Sequence, residues 1–176
     1  SNIDNNNESK LNLMNIFYLH KDPVQAANIQ YNKHVVKMIL ESAQMLSTAH
    51  HHYAETLGYD ATYIPYKKAH YNHPSSIWTR ENSRQYYWLF HHMLALGNEY
   101  TKRYGKIHLS IQKCFASLQN CPVGMPLGGS FSEPPQCMPD EYKVPNDSVQ
   151  AYWNYYIGDK HSVANKNEKI FTKNPF

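Results

Sequence analysis

One long stretch of helical hydrophobic periodicity, from Asp22 to Tyr53, constrains the fold of this chain more than any other feature. Apolar and small side chains recur there every three or four residues, the spacing of one face of an α-helix. Asp22 precedes Pro23, a pair typical of a helix N-terminus, because the carboxylate accepts free backbone N–H groups and proline leaves none unpaired. The stretch predicts a central helix from about Pro23 to Tyr53. Its predicted core face comprises Val35, Met38, Ile39, Ser42, Met45, Leu46 and Ala49.

Three later segments also have helical signals. A second long helix is predicted over residues 76–104, where Gly105 supplies the C-terminal stop. A third helix is predicted over 107–118, with Phe115 facing inward, and a short aromatic helix over 148–156, capped by Asn146 or Asp147. Residues 121–145 hold six prolines and three glycines, which predicts a long irregular loop.

Length and composition favour one domain. A chain of 176 residues with 41% hydrophobic and 18% charged residues can bury a single core. Its three cysteines are odd in number and form no CxxC pair, which favours a reduced, cytoplasmic protein. No apolar run reaches membrane-spanning length. We therefore expect an all-α fold: one compact helical domain over residues 14–176 with two long helices, shorter C-terminal helices and the proline-rich loop, preceded by a disordered extension or tag remnant at 1–13.

Titratable side chains on the polar face of the central helix form a first candidate site. Asp22, His34, Lys37 and Glu41 can share one ridge of the predicted helix, with Lys33 beside it. His73 precedes the N-terminus of the second long helix, and helix N-termini attract phosphate. The sequence predicts an active site where the two segments meet. The alternative is that the histidines are hydrogen-bonded in the core and the lysines form an ordinary solvated surface.

A second candidate site is a nucleic-acid interface. On the polar face of the second long helix, Arg80, Arg84 and Lys102 alternate with the ring of Trp88, as in a surface that contacts phosphates and bases. The chain has 15 Tyr, 3 Trp and a net charge of +3. Aromatic residues crowd the last helix, so some are expected to face solvent or a ligand, and Tyr152 or Trp153 is predicted to stack on a base. The alternative is again a solvated helix.

Four segments, in order, resemble a known family. They are NIFYL, QYNKHVVKMILESAQML, NHPSSIWTRENSRQYYWLFHHMLALGNEYTKRYG and MPDEYKV. Their order and character resemble the pyrimidine-dimer DNA glycosylases of T-even phages and bacteria. The stretch KHVVKMILESAQMLSTAH is more similar to uncharacterised proteins of marine phages. Within these segments, NHP followed by Trp and a charged helix is the most specific feature.

The resemblance implies a DNA repair or modification enzyme. Members of that family are helical single domains that turn a damaged nucleotide out of double-stranded DNA and cleave its glycosidic bond. They use an N-terminal amine as nucleophile and a glutamate of the central helix, without a cofactor or metal. The resemblance further implies a monomeric phage protein in the host cytoplasm, with DNA as partner.

The residues of this chain suggest two ways to perform such chemistry. Where the family has its carboxylate, this chain has Asn32 and Lys33. Lys33 or Lys37 is therefore the predicted imine-forming nucleophile, because a desolvated lysine amine can take this role. Glu41 or Asp22 is predicted to handle protons, and His34 and His73 to orient the reacting groups. In the second way, His20, His34 and His73 converge with Asp22 or Glu41 as general acid and base, or on a divalent metal. Two other functions remain open: a non-catalytic nucleic-acid-binding phage protein that kept the fold, and a metal-dependent hydrolase that uses some of the 11 histidines.

Overall fold

A computed structural model describes residues 15–176 of the chain. Residues 1–13, predicted above to be an extension, lie outside this range. The described part contains six α-helices and two 3-10 helices, at Asp140–Tyr142 and Lys160–Val163, and no β-strand. The predicted all-α fold is confirmed. The helices are α1 (Pro23–Asn28), α2 (Asn32–Leu57), α3 (Pro74–Thr79), α4 (Ser83–Tyr104), α5 (Leu109–Leu118) and α6 (Ser148–Gly158).

The single central helix predicted over residues 23–53 is wrong, because the chain breaks between α1 and α2. Tyr31 leaves the helical conformation, and its backbone N–H donates to the Tyr156 hydroxyl at 2.8 Å. Arg103 of α4 fills the gap, donating to the carbonyl oxygens of Asn28 and Gln30 at 2.9 and 2.8 Å. These partners are more than 70 residues away in the chain and satisfy the backbone groups that the break exposes.

The second long helix is also two helices. The first, α3, ends at Thr79, and α4 begins at Ser83 after the N-cap Asn82, whose side chain accepts the Gln85 N–H at 3.1 Å. A buried Gln85 amide then donates to the Trp78 carbonyl at 2.6 Å and so ties the end of α3 to the start of α4. The ENS triplet at 81–83 contained this cap signal, since asparagine and serine favour N-cap positions.

The remaining predicted elements differ less from those in the structure. The third helix starts at Leu109, because His108 is its N-cap and accepts the Ser110 N–H at 3.0 Å. Phe115, predicted to face inward, is 45% exposed. Asp147 caps α6 as expected, accepting the Gln150 N–H at 3.1 Å. The proline-rich loop is irregular apart from its 3-10 turn.

The core lies between α2 and α4, which pack along each other. Helices α3 and α5 pack against both of them, and α1 packs against α4. All seven residues of the predicted core face of α2 are buried. The segment Asn15–Leu19 crosses this core without forming a helix, and all five of its residues are buried. The indole of Trp153 in α6 fixes the segment by donating to the Leu19 carbonyl at 2.7 Å. The described helices include none that is long and apolar enough to cross a membrane.

Candidate functional site

The most unusual polar group in the structure is the Glu41 carboxyl, halfway along α2. Its side chain is 4% exposed, and neither carboxyl oxygen has a hydrogen-bond partner within the described residues. The ammonium nitrogen of Lys37, one helical turn earlier, lies 3.8 Å from Oε1, longer than a hydrogen bond. Lys37 is itself 47% exposed. A buried acid is therefore placed directly beneath an accessible amine.

Burial decides the protonation of Glu41. Desolvation raises the pKa of this carboxyl from 4.5 to about 8, and the nearby Lys37 charge only partly opposes the shift. The carboxyl therefore keeps its proton at neutral pH. A protonated acid beside a lysine amine can donate a proton to a leaving group, which is one of the roles predicted for Glu41.

Asp22 and Lys33, the alternative acid and amine of the predicted site, do not share the surroundings of Glu41 and Lys37. Asp22 caps α1, where its carboxylate accepts the Val24 N–H at 2.8 Å. Since α1 and α2 are separate helices, Asp22 does not continue the ridge of Lys37 and Glu41. Lys33 lies in the first turn of α2 and is exposed. Of the predicted ridge, the structure thus shows Lys37 next to the buried Glu41, with Lys33 exposed one helical turn earlier.

His34 belongs to the core. It is 5% exposed, and its Nδ1 lies 2.9 Å from the Tyr156 hydroxyl. That hydroxyl accepts the Tyr31 N–H, and it can donate its own proton to Nδ1 when the imidazole is neutral. Burial, with the charges of Lys160 and Lys37, lowers the pKa of His34 to about 3. His34 is therefore uncharged at neutral pH and serves as a packing residue.

His73, which belongs to the second segment of the predicted active site, is the N-cap of α3. Its Nδ1 accepts the Ser75 N–H at 3.1 Å and so begins α3. Burial lowers the pKa of this imidazole, and its buried Nε2 has no hydrogen-bond partner within the described residues. No hydrogen bond between residues 15 and 176 joins His73 to His34, and each has its own partners. Tyr156, which holds His34, was not singled out as a site residue; the aromatic run at 152–156 is the only signal for it.

The predicted base-stacking residues are buried, which corrects that part of the nucleic-acid interface. Tyr152 and Trp153 are 0% exposed. Trp88 is 9% exposed, and its indole N–H donates to the Lys21 carbonyl at 2.8 Å. Arg80 is equally buried, donates to the Tyr71 carbonyl at 2.7 Å and lies over that tyrosine's ring at 3.9 Å. Tyr152, Trp153 and Arg80 therefore stabilise the fold and are not available to a base or phosphate. Trp88, fixed by its own hydrogen bond, is also largely buried.

Arg84 and Lys102 remain as exposed cations of α4. They are 18 positions apart, five full helical turns, so they lie on one side of the helix about 27 Å from each other. Arg84 occupies the first turn, where a positive charge opposes the helix dipole, and no acidic residue shares that turn. Its charge therefore has no stabilising role within the helix.

The histidines do not form a metal centre in the described part of the chain, where no three potential ligands converge. The consecutive histidines of α2 illustrate why. His50 contacts the Tyr86 hydroxyl, His51 the Tyr66 carbonyl, and His52 the Tyr71 hydroxyl, in three different directions. The three cysteines, Cys114, Cys121 and Cys137, are free thiols.

Comparison of the chain with models of protein families, with curated proteins and with solved structures found no match.

Proposed function

We propose that this protein is a DNA repair or modification enzyme of the glycosylase/lyase type, which acts on a damaged or flipped nucleotide through Lys37 and Glu41. The observation that carries the proposal is the buried Glu41 carboxyl, without a hydrogen bond, 3.8 Å from the Lys37 amine. A carboxyl buried for structural reasons is normally paired by hydrogen bonds. A strongly shifted acid beside an accessible nucleophile is instead typical of catalytic sites.

The pair supplies the two groups that glycosidic cleavage needs. Lys37 Nζ, after releasing a proton to solvent, attacks the sugar C1′ and forms an N–C1′ bond, while the base departs with the electrons of the glycosidic bond. Glu41 donates its proton to the departing base. One proton of Nζ then returns to the Glu41 carboxylate, and the other goes to the ring oxygen O4′ as the C1′–O4′ bond breaks. The imine that results is later hydrolysed by water, which restores the amine. No cofactor or metal takes part in these steps.

DNA binding in this proposal relies on Arg84 and Lys102. Both are exposed on one side of α4, and lysine and arginine contacts with phosphates give DNA binding its salt dependence. Arg80, Trp88, Tyr152 and Trp153 are not among these DNA contacts, because all four are buried.

Borohydride trapping tests the proposal. The protein is incubated with duplex oligonucleotides that carry either a pyrimidine dimer or an abasic site, and borohydride reduces any imine to a stable adduct. We expect an adduct that is lost in Lys37→Ala and retained in the matched variant Lys33→Ala. Glu41→Gln should slow adduct formation on the dimer substrate more than on the abasic one, because only the dimer requires base departure.

Two results would overturn the assignment. The first is an adduct of unchanged yield in Lys37→Ala, which would mean that another amine of the protein is the nucleophile. The second is salt-dependent DNA binding without any adduct, which would make the protein a non-catalytic nucleic-acid-binding protein.

A further inference from the structure

A cleft on a different part of the surface has the features of a small-molecule site. Its volume is about 810 Å³, and it opens between Tyr18, Trp88 of α4, Phe131 of the proline-rich loop and the C-terminal Phe176. Pockets of about 300–1,000 Å³ with mainly apolar walls are typical of small-molecule sites. Neither Lys37 nor Glu41 lines this cleft.

The walls of the cleft are aromatic and held in place. Tyr18 and Trp88 contact each other with ring centroids 5.0 Å apart, and the indole N–H is fixed on the Lys21 carbonyl. The Phe176 ring lies against His20, 4.6 Å between centroids. Rings at several angles around one space offer faces and edges to a flat aromatic guest.

Among the polar residues that line the cleft, Glu133 has a carboxylate oxygen available to a ligand. Its Oε1 accepts the Ser148 N–H at 3.2 Å, and its Oε2 accepts no hydrogen bond within the described residues. The Tyr18 hydroxyl likewise makes none there. Burial, and secondarily the charge of Glu133, raises the pKa of Tyr18 to about 12, so the hydroxyl keeps its proton and the carboxylate is close by. Asn146, which also lines the cleft, has a left-handed φ of 60°.

From these contacts we infer that the cleft binds a planar nitrogen heterocycle with two adjacent N–H donors, such as guanine, between its aromatic walls and the Glu133 carboxylate. A carboxylate accepts two parallel N–H bonds well, since each oxygen has two lone pairs and Oε1 uses one on Ser148. The heterocycle can come from a free nucleoside or from an unpaired base in a strand. This inference goes beyond the proposed function and does not depend on Lys37 or Glu41.

Calorimetric titration of the full chain with guanosine tests the inference. We expect saturable binding with a Kd of about 1 mM or tighter, which is typical of a small rigid ligand. Uridine, whose single N–H lies between two carbonyls, should bind at least about tenfold more weakly. Glu133→Gln should reduce guanosine affinity about tenfold, because the amide offers one acceptor instead of two. Its remaining oxygen can still accept the Ser148 N–H, so the variant keeps the fold.

Phe115→Ala, which removes an exposed ring outside the cleft, is the matched control and should bind guanosine like the parent. Absence of saturable guanosine binding, or equal binding by Glu133→Gln, would overturn the inference. Competition by a guanine-containing single-stranded oligonucleotide identifies strand-borne bases as ligands. Lack of competition identifies the free nucleoside. Borohydride trapping by Glu133→Gln reports separately on the Lys37 site.

Discussion

The Phe17 ring lies flat over the His34 imidazole, with ring centroids 4.3 Å apart and 18° between the planes. Phe17 belongs to the non-helical segment before α1, and it holds a left-handed φ of 53°, uncommon for a bulky residue. The contact therefore joins the start of the described chain to the first turns of α2 at some cost in backbone strain. The Phe17 ring covers one face of the His34 imidazole, while Nδ1, in the plane of the ring, contacts the Tyr156 hydroxyl. His34 is a packing residue beside the candidate site.

Three buried histidines should remain neutral at pH values well below those at which histidine is usually protonated. Burial lowers the pKa of His34 to about 3 and those of His50 and His92 to about 4. Nuclear magnetic resonance titration of the imidazole signals should show these three uncharged at pH 5, against an imidazole reference in the same tube. The unfolded chain binds protons near pH 6.5 where the native state does not, so stability should fall as pH drops below that value. A half-protonated signal from His34 near pH 6 would contradict the neutral core assignment.

The Tyr156 hydroxyl should be important for stability. It accepts the Tyr31 N–H at 2.8 Å and contacts His34 Nδ1 at 2.9 Å, and the residue is 0% exposed. Tyr156→Phe leaves both groups buried without a partner, which costs about 1–3 kcal/mol each in the free energy of unfolding before relaxation. Urea denaturation measures the loss. Tyr104→Phe, at a ring 43% exposed, is the control and should change stability by less than about 0.5 kcal/mol; an equal loss in both variants would contradict the bridging role.

The difference between what the sequence predicted and what it did not is clearest in α2. Its core face could be predicted because hydrophobic periodicity depends on residues three and four positions apart. The break before Asn32 could not, because Tyr156 and Arg103 satisfy it from distant parts of the chain. The same limit applies to Arg80 and Trp88. Spacing put them on a polar face, whereas Tyr71 and Lys21 bury them through contacts that no local pattern contains.

The candidate site shows the same limit in its chemistry. The one-turn spacing of Lys37 and Glu41 predicted that they would be neighbours, and they are, at 3.8 Å. Spacing could not show that Glu41 points inward while Lys37 stays accessible. That asymmetry raises the pKa of the acid, and a charged residue on a polar ridge is normally solvated.

Replacing Glu41 should change how stability depends on pH. The unfolded carboxyl releases its proton near pH 4.5, and the native one near 8. Between these values the native state binds the extra proton, so its stability falls as pH rises. Glu41→Gln removes this contribution, and the variant should gain roughly 3–5 kcal/mol over the parent between pH 5 and pH 9. Urea denaturation at pH 5, 7 and 9 measures the difference.

The exposed Glu55, paired with Lys68 at 3.0 Å, provides the control. Glu55→Gln should be nearly neutral at all three pH values, because exposed ion pairs contribute little. Parallel pH curves for Glu41→Gln and the parent would show that Glu41 is not held protonated. A variant more stable at pH 8 but slower on DNA would instead match a carboxyl kept for catalysis at the expense of stability.

Replacing Arg80 by alanine should mainly lower folding stability, whereas replacing Arg84, four positions later, should mainly weaken DNA binding. Arg80→Ala removes the hydrogen bond to the Tyr71 carbonyl and the contact with that ring, which should cost about 1–3 kcal/mol of folding free energy. Arg84→Ala should leave stability unchanged or slightly raised, because a cation in the first turn of α4 opposes the helix dipole. It should instead weaken DNA binding and reduce the slope of log K against log salt by about 0.9, one phosphate contact. Fluorescence anisotropy with labelled duplex DNA at several salt concentrations, beside urea denaturation of both variants, separates the two effects. If Arg84→Ala keeps the parent's affinity and slope, α4 carries an ordinary solvated surface and DNA binding must be sought on another face.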